Sequence, residues 1–90
     1  MKVKFSKKFA KQYDRANSKI QISFDKRLKL FLQNPFHPLL NNHSLSGKLS
    51  GYRSINVTGD WRAIYSVADK SEINVVIFEM IGTHSQLYKS

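Results

Sequence analysis

The chain has 90 residues, no cysteine, 41% hydrophobic residues and a formal net charge of +9. That length makes one domain, residues 1–90, with a small core, and the hydrophobic content excludes a disordered chain. The lack of cysteine excludes disulfides and thiolate metal sites and suits a reducing cytoplasm; no apolar run approaches the ~20 residues of a membrane span, and no apolar stretch follows the N-terminal lysines as in a signal peptide.

Lys2 to Phe5 alternates charged and apolar residues and predicts a short strand. Ser6 is a candidate N-cap for a first helix, in which Phe9 and Tyr13 recur at helical spacing among Lys7, Lys8, Lys11 and Arg15. This helix should end near Ala16-Asn17, with Ser18 as the cap of a second. Ile20, Phe24, Leu28, Phe31 and Leu32 then form one apolar stripe, with Lys19, Lys26, Arg27 and Lys29 mostly off it. The two helices read as an αα-hairpin with a basic exterior. From Met1 to Leu30 there are ten Lys/Arg against two Asp/Glu; from Phe31 to Ser90 there are five against four. A basic surplus so concentrated attracts polyanions, of which nucleic acid, anionic lipid and acidic protein segments are the candidates. A solvated face that aids solubility is the plainer alternative.

Asn34-Pro35 stops the second helix, because a residue before proline avoids the α region. Phe36 to Leu49 reads as a loop with a short strand near Lys48-Leu49. Tyr52 to Val57 is the next predicted strand, Thr58-Gly59-Asp60 a tight turn, and Trp61 to Ala68 a further strand. Asp69 to Glu72 is a second turn, and Ile73 to Ile81 a long β-branched strand. Gly82 breaks it, and Thr83 caps a last helical turn ending at Tyr88. The fold class is therefore α+β: β-α-α, an antiparallel meander of three or four strands, and a short C-terminal helix.

The two turns set a register. With Val57 facing Trp61 and Ala68 facing Ile73, one face carries Arg53, Ile55, Val57, Trp61, Ala63, Tyr65, Phe78 and Met80 and packs on the helices. The other carries Tyr52, Ser54, Asn56, Arg62, Ser66 and Glu79, with Ile64 and Ile77, and forms an open polar groove. The same pairing brings Asp60-Trp61-Arg62 beside the end of the last strand, so His84 lies close to Asp60.

Those residues match the requirements of RNA cleavage without a metal. A base removes the 2′-hydroxyl proton, an acid protonates the departing 5′-oxygen, and a cation stabilises the phosphorane. His43, Asp60 and His84 are the proton-transfer candidates, and Arg62 is the phosphate clamp. Arg53, Asn56, Trp61 and Tyr88 are the substrate-binding candidates, the aromatic ones by stacking on a base. For each a structural reading stands open: Asp60 as a turn residue, Trp61 as core, Tyr88 as helix packing, Arg62 as the partner of Glu79, and His37 as loop. Three histidines, none paired at ligand spacing, make no metal site, and no cofactor is expected.

Together, the His43-x-Leu45-x-Gly47 loop, Gly51-Tyr52-Arg53, Asp60-Trp61, Ile64-Tyr65 and Gly82-Thr83-His84-x-x-Leu87-Tyr88 resemble the RelE/ParE superfamily of bacterial type II toxins, most closely its YafQ-like mRNA interferases. The resemblance spans nearly the whole chain. It implies a RelE-like microbial RNase fold and a cytoplasmic, ribosome-dependent endoribonuclease cleaving mRNA in the A site. It also implies a cognate antitoxin, acidic or partly disordered in the segment that binds, and a toxin–antitoxin hetero-oligomer away from any membrane. By position it makes His43, Asp60 and His84 acid/base residues, Arg62 the phosphate-binding arginine, and Trp61 and Tyr88 residues that shape the site. One position departs: the YafQ-like pattern has a histidine where this chain has Asn56, which cannot transfer a proton near neutral pH. Two alternatives remain: a ParE-like toxin inhibiting DNA gyrase, against which His43 with His84 argues, and a non-catalytic RNA-binding module.

Overall fold

Residues 1–69 and 75–88 are described by the computed structural model. The chain runs β1 (Lys2–Phe5), α1 (Lys7–Arg15), α2 (Ser18–Gln33), β2 (His43–Ser44), β3 (Arg53–Asn56), β4 (Trp61–Asp69), β5 (Val75–Thr83) and α3 (His84–Leu87). Single 3-10 turns occupy Pro38–Leu40 and Gly47–Leu49. The strands form one sheet in the order β1-β5-β4-β3-β2. β2 to β5 are the expected antiparallel meander, and β1 adds parallel to β5 along its free edge. The sheet is therefore mixed. No helix among the described residues is long and apolar enough to cross a membrane.

Local chemistry places the helices. The Ser6 hydroxyl accepts from Phe9 N at 3.0 Å, capping α1, while donating to Glu79 O at 2.9 Å. One side chain thus both starts a helix and ties it to β5. Asn17, not Ser18, caps α2: its Oδ1 accepts from Ile20 N at 3.0 Å, and Ser18 is already the first helical residue. α2 stops at Gln33, as Pro35 requires. Ile20, Phe24 and Phe31 of the stripe are buried and Leu28 packs partly against them, whereas Leu32 lies one step round the helix and is exposed. The helices cover a sheet face built from Ile55, Val57, Ala63, Tyr65, Val76, Phe78 and Ile81.

The hairpin register between β3 and β4 agrees with the turn chemistry: Ile55 pairs with Ala63, Asn56 with Arg62, and Val57 N donates to Trp61 O at 2.9 Å. The β4–β5 register differs from the expected one. The predicted Asp69–Glu72 turn and the Ala68–Ile73 pair rest on residues largely outside the described ones. At the other end Trp61 pairs with Thr83 and Arg62 with Gly82. A bulge at Glu79 separates the Ile64–Met80 pair from the Tyr65–Phe78 pair. That extra residue flips the alternation along β5, so Phe78 stays in the core while Ile81 takes the place expected for Met80. The Glu79 carbonyl left over at the bulge is the acceptor that Ser6 satisfies.

The short strand expected near Lys48-Leu49 lies instead at His43-Ser44, paired with Ser54 and Arg53. Lys48 and Leu49 belong to a 3-10 turn opened by Gly47 at φ +65°.

Candidate active site

Three elements converge at the open end of the sheet. β2 brings His43, the start of β4 brings Arg62, and α3 with its C-cap brings His84 and Tyr88. Together with Asn41 and Leu45 these side chains line a cleft of about 260 Å³.

His43 reaches the cleft because its strand pairs with β3 and because the loop turns sharply before it. Asn41 sits in the left-handed region at φ +45°, which asparagine tolerates better than most residues. Its carbonyl lies 2.7 Å from His43 Nδ1. A carbonyl only accepts, so Nδ1 carries the proton and the neutral ring keeps its lone pair on Nε2. That is the tautomer of a general base.

Arg62 Nη1 donates to the carbonyls of Thr58 (3.0 Å), Gly59 (3.0 Å) and Trp61 (3.1 Å). The guanidinium is pinned to its own turn by one nitrogen. Nε and Nη2 have no partner among the described residues and are the donors left for a phosphate. The sequence left open a pairing with Glu79, but that carboxylate accepts instead from Ser66 Oγ at 2.8 Å.

His84 is the first residue of α3, and its backbone N donates to Asp60 O at 2.9 Å. The expected proximity of His84 and Asp60 is thus present, made by the Asp60 carbonyl. Thr83 and Gln86 form a capping box that fixes this single turn. The Tyr88 ring packs on His84 with centroids 4.5 Å apart, and its hydroxyl donates to Ser54 Oγ at 3.1 Å. Ser54 is fully buried and lies opposite His43 in the ladder. It links the tail to the strand beside the other histidine.

α3 folds back closely over Gly82. A Cβ there would stand 3.0 Å from Gln86 Oε1 and 3.3 Å from Leu87 Cδ2. Because Gln86 Oε1 is already held by Thr83 N at 2.9 Å, it has little room to yield. Gly82→Ala should therefore displace α3 and with it His84. We expect a cost of about 1 kcal/mol and a fall in melting temperature of roughly 4–8 °C, read by thermal unfolding.

The remaining candidates are dispersed. Trp61 faces the helices and packs partly against the core, since neighbours on a strand point to opposite faces; it does not line the cleft with Arg62. Arg53 donates through Nε to Asn42 Oδ1 at 2.9 Å and lies over the Phe36 ring, 5.5 Å from its centroid. That is the face of Tyr65, away from His43. Asn56 sits opposite Arg62 in the ladder, and its Oδ1 is buried with no partner among the described residues. His37 caps the Pro38–Leu40 turn through Nδ1. The sequence marks neither Asn41 nor Ser54 as a site residue, beyond the pair Asn41-Asn42 that stands directly before His43. Among the described residues, no group of three His, Cys, Asp or Glu side chains could hold a metal ion.

Comparison with known proteins gives a consistent result. The model of the YafQ family, bacterial toxins of type II toxin–antitoxin systems, matches residues 1–89. The structure of YafQ from E. coli strain BL21(DE3) superposes with a TM-score of 0.78 at 27% identity, over 96% of each chain. A chain of the E. coli DinJ-YafQ toxin–antitoxin complex is 30% identical with a TM-score of 0.70, over 96% of this chain and 94% of that one. A YoeB/ParE toxin from Agrobacterium tumefaciens shares the fold at 20% identity and a TM-score of 0.75, over 93% of this chain and 99% of that one. A search of curated protein sequences gave no match.

Proposed function

The chain belongs to the YafQ family of bacterial type II toxins, and on that premise we propose that it is a ribosome-dependent endoribonuclease that cleaves mRNA with its own side chains and so arrests translation. The observation that supports this most is the convergence of His43, Arg62, His84 and Tyr88 on one cleft. Two imidazoles, a guanidinium with free donors and an aromatic ring are what in-line attack by a 2′-hydroxyl needs.

In this reading His43 Nε2 takes the 2′-hydroxyl proton, and the 2′-oxygen attacks the adjacent phosphorus. Arg62 donates through Nε and Nη2 to the non-bridging oxygens as negative charge builds on the phosphorane. The bond from phosphorus to the 5′-oxygen breaks, and the His84 imidazolium gives its proton to that oxygen. The products are a 2′,3′-cyclic phosphate and a 5′-hydroxyl. Tyr88 holds the His84 ring and offers a face to a base. Asp60 supports the His84 backbone. Asn56 replaces a family histidine, and the two imidazoles present suffice for one proton taken and one given.

The basic faces of α1 and α2 would bind ribosomal RNA, a salt-sensitive and sequence-independent interaction. E. coli YafQ is found in complex with DinJ; the partner proposed here is likewise a cognate antitoxin, whose acidic or partly disordered segment orders on the toxin.

A reconstituted translation reaction with a defined mRNA tests the proposal. Cuts within the coding sequence should appear only when ribosomes are present, and the downstream fragments should carry 5′-hydroxyl ends. Fragments with 5′-phosphate ends, or no cleavage on translating ribosomes, would contradict it.

A further inference from the structure

We propose that a second cleft, on the other side of α3 from the first, holds a nucleotide flanking the cleaved phosphate; this rests on the nuclease reading above. The cleft has a volume of about 390 Å³, and its polar walls are Gln12 and Arg15 of α1, Trp61 of β4 and Gln86 of α3.

Its chemistry is one-sided. Gln12 Oε1 accepts from Ile81 N at 2.9 Å, and Gln86 Oε1 accepts from Thr83 N at 2.9 Å. Each carboxamide oxygen is held against the backbone by one of these bonds, and the two N–H donors of each side chain have no partner among the described residues. Arg15 and the Trp61 indole add donors only. Among the described residues no carboxylate lines the cleft. A site that presents donors beside an aromatic wall suits a planar, acceptor-rich, anionic ligand. A nucleotide has that chemistry: carbonyl and ring-nitrogen acceptors on the base, oxygens on the phosphate, and a π-face for the indole.

Position favours an RNA strand as the source. Trp61 and Arg62 are consecutive on β4 and point to opposite faces, one into each cleft. α3 supplies Gln86 to this cleft and His84 to the other. It is a single four-residue turn that borders both clefts. A phosphate held by Arg62 would then have its neighbour over Trp61.

The test uses variants that keep each structural bond and invert the chemistry. Gln12→Glu with Gln86→Glu retains the Oε1 acceptors and replaces both amino groups by oxygen. A control of equal charge, Gln33→Glu with Asn34→Asp, lies at the end of α2. Binding of a 2′-O-methyl oligoribonucleotide, which cannot be cleaved by 2′-oxygen attack, is followed by fluorescence anisotropy. The expected result is a rise in Kd of about tenfold or more for the Gln12/Gln86 variant, with a much smaller change for the control. Equal changes in the two variants, or none, would overturn the subsite. So would unchanged RNA binding together with lost affinity for an acidic peptide, which would give the cleft to a protein partner. Cleavage on ribosomes is scored separately. Wild-type cleavage with no specific binding loss removes the subsite and leaves the nuclease; no wild-type cleavage with a specific loss removes the nuclease and leaves an RNA-binding cleft.

Discussion

His84→Ala is expected to lower the rate of mRNA cleavage by about 10²–10⁴-fold while leaving the melting temperature within a few degrees of wild type. The two halves of that expectation have separate causes. His84 is exposed, and its structural bond, to the Asp60 carbonyl, is made by the backbone N, which alanine keeps. Alanine also suits the first turn of a helix. What disappears is the imidazole packed on Tyr88 across the cleft from His43. The measurement is single-turnover cleavage of ribosome-bound mRNA beside thermal unfolding of the same preparation. Loss of both activity and fold would make His84 a structural residue.

Phe78→Ala should produce the largest loss of stability, about 3–5 kcal/mol. Phe78 is fully buried. Its ring lies 5.3 Å from Phe24, 5.6 Å from Phe31, 5.6 Å from Tyr65, 5.9 Å from Phe9 and 6.0 Å from Phe5. It therefore joins β1, both long helices, β4 and β5 in one aromatic cluster. A domain this small holds roughly 5–15 kcal/mol in total, so removing that ring takes a large share of it. Denaturant unfolding should show the midpoint fall with little change in slope. A loss below about 1 kcal/mol would mean that the cluster does not organise the core.

How much of this was legible follows from the range of each interaction. The helices, their caps and the β3–β4 hairpin are local, and periodicity with turn chemistry places them within a residue or two. Asn17 and Ser18 are both good capping types standing side by side, so sequence alone does not choose between them. Partnership between β1 and β5 joins residues 73 apart, Lys2 with Val75, and no local pattern reports it. The Glu79 bulge is also invisible locally: it is stabilised by Ser6, far away in sequence. That one inserted residue sent Met80 to the polar face and Ile81 to the core.

The site divides in the same way. The nearness of Asp60 and His84 survives a register error because any β4–β5 hairpin brings those ends together. The arrival of His43 depends on a two-residue strand and on Asn41 in a left-handed conformation, and only the loop composition hinted at either. The sequence allows Trp61 as core and as a stacking residue. It packs against the core and lines a cleft with Arg15 and Gln86, not the one that holds His43. Arg53 is occupied with Asn42 and Phe36, a partnership set by the loop path.

In the proposed mechanism His43 and His84 act together on RNA in one cleft. Primer extension on a translated mRNA, with wild type, His43→Ala, His84→Ala and the double variant at equal folded concentration, tests it most directly. Wild type should give strong stops within the coding sequence, each single variant near-complete loss, and the double little further loss, as expected of residues that work as a unit. Undiminished stops in both single variants and in the double would contradict it.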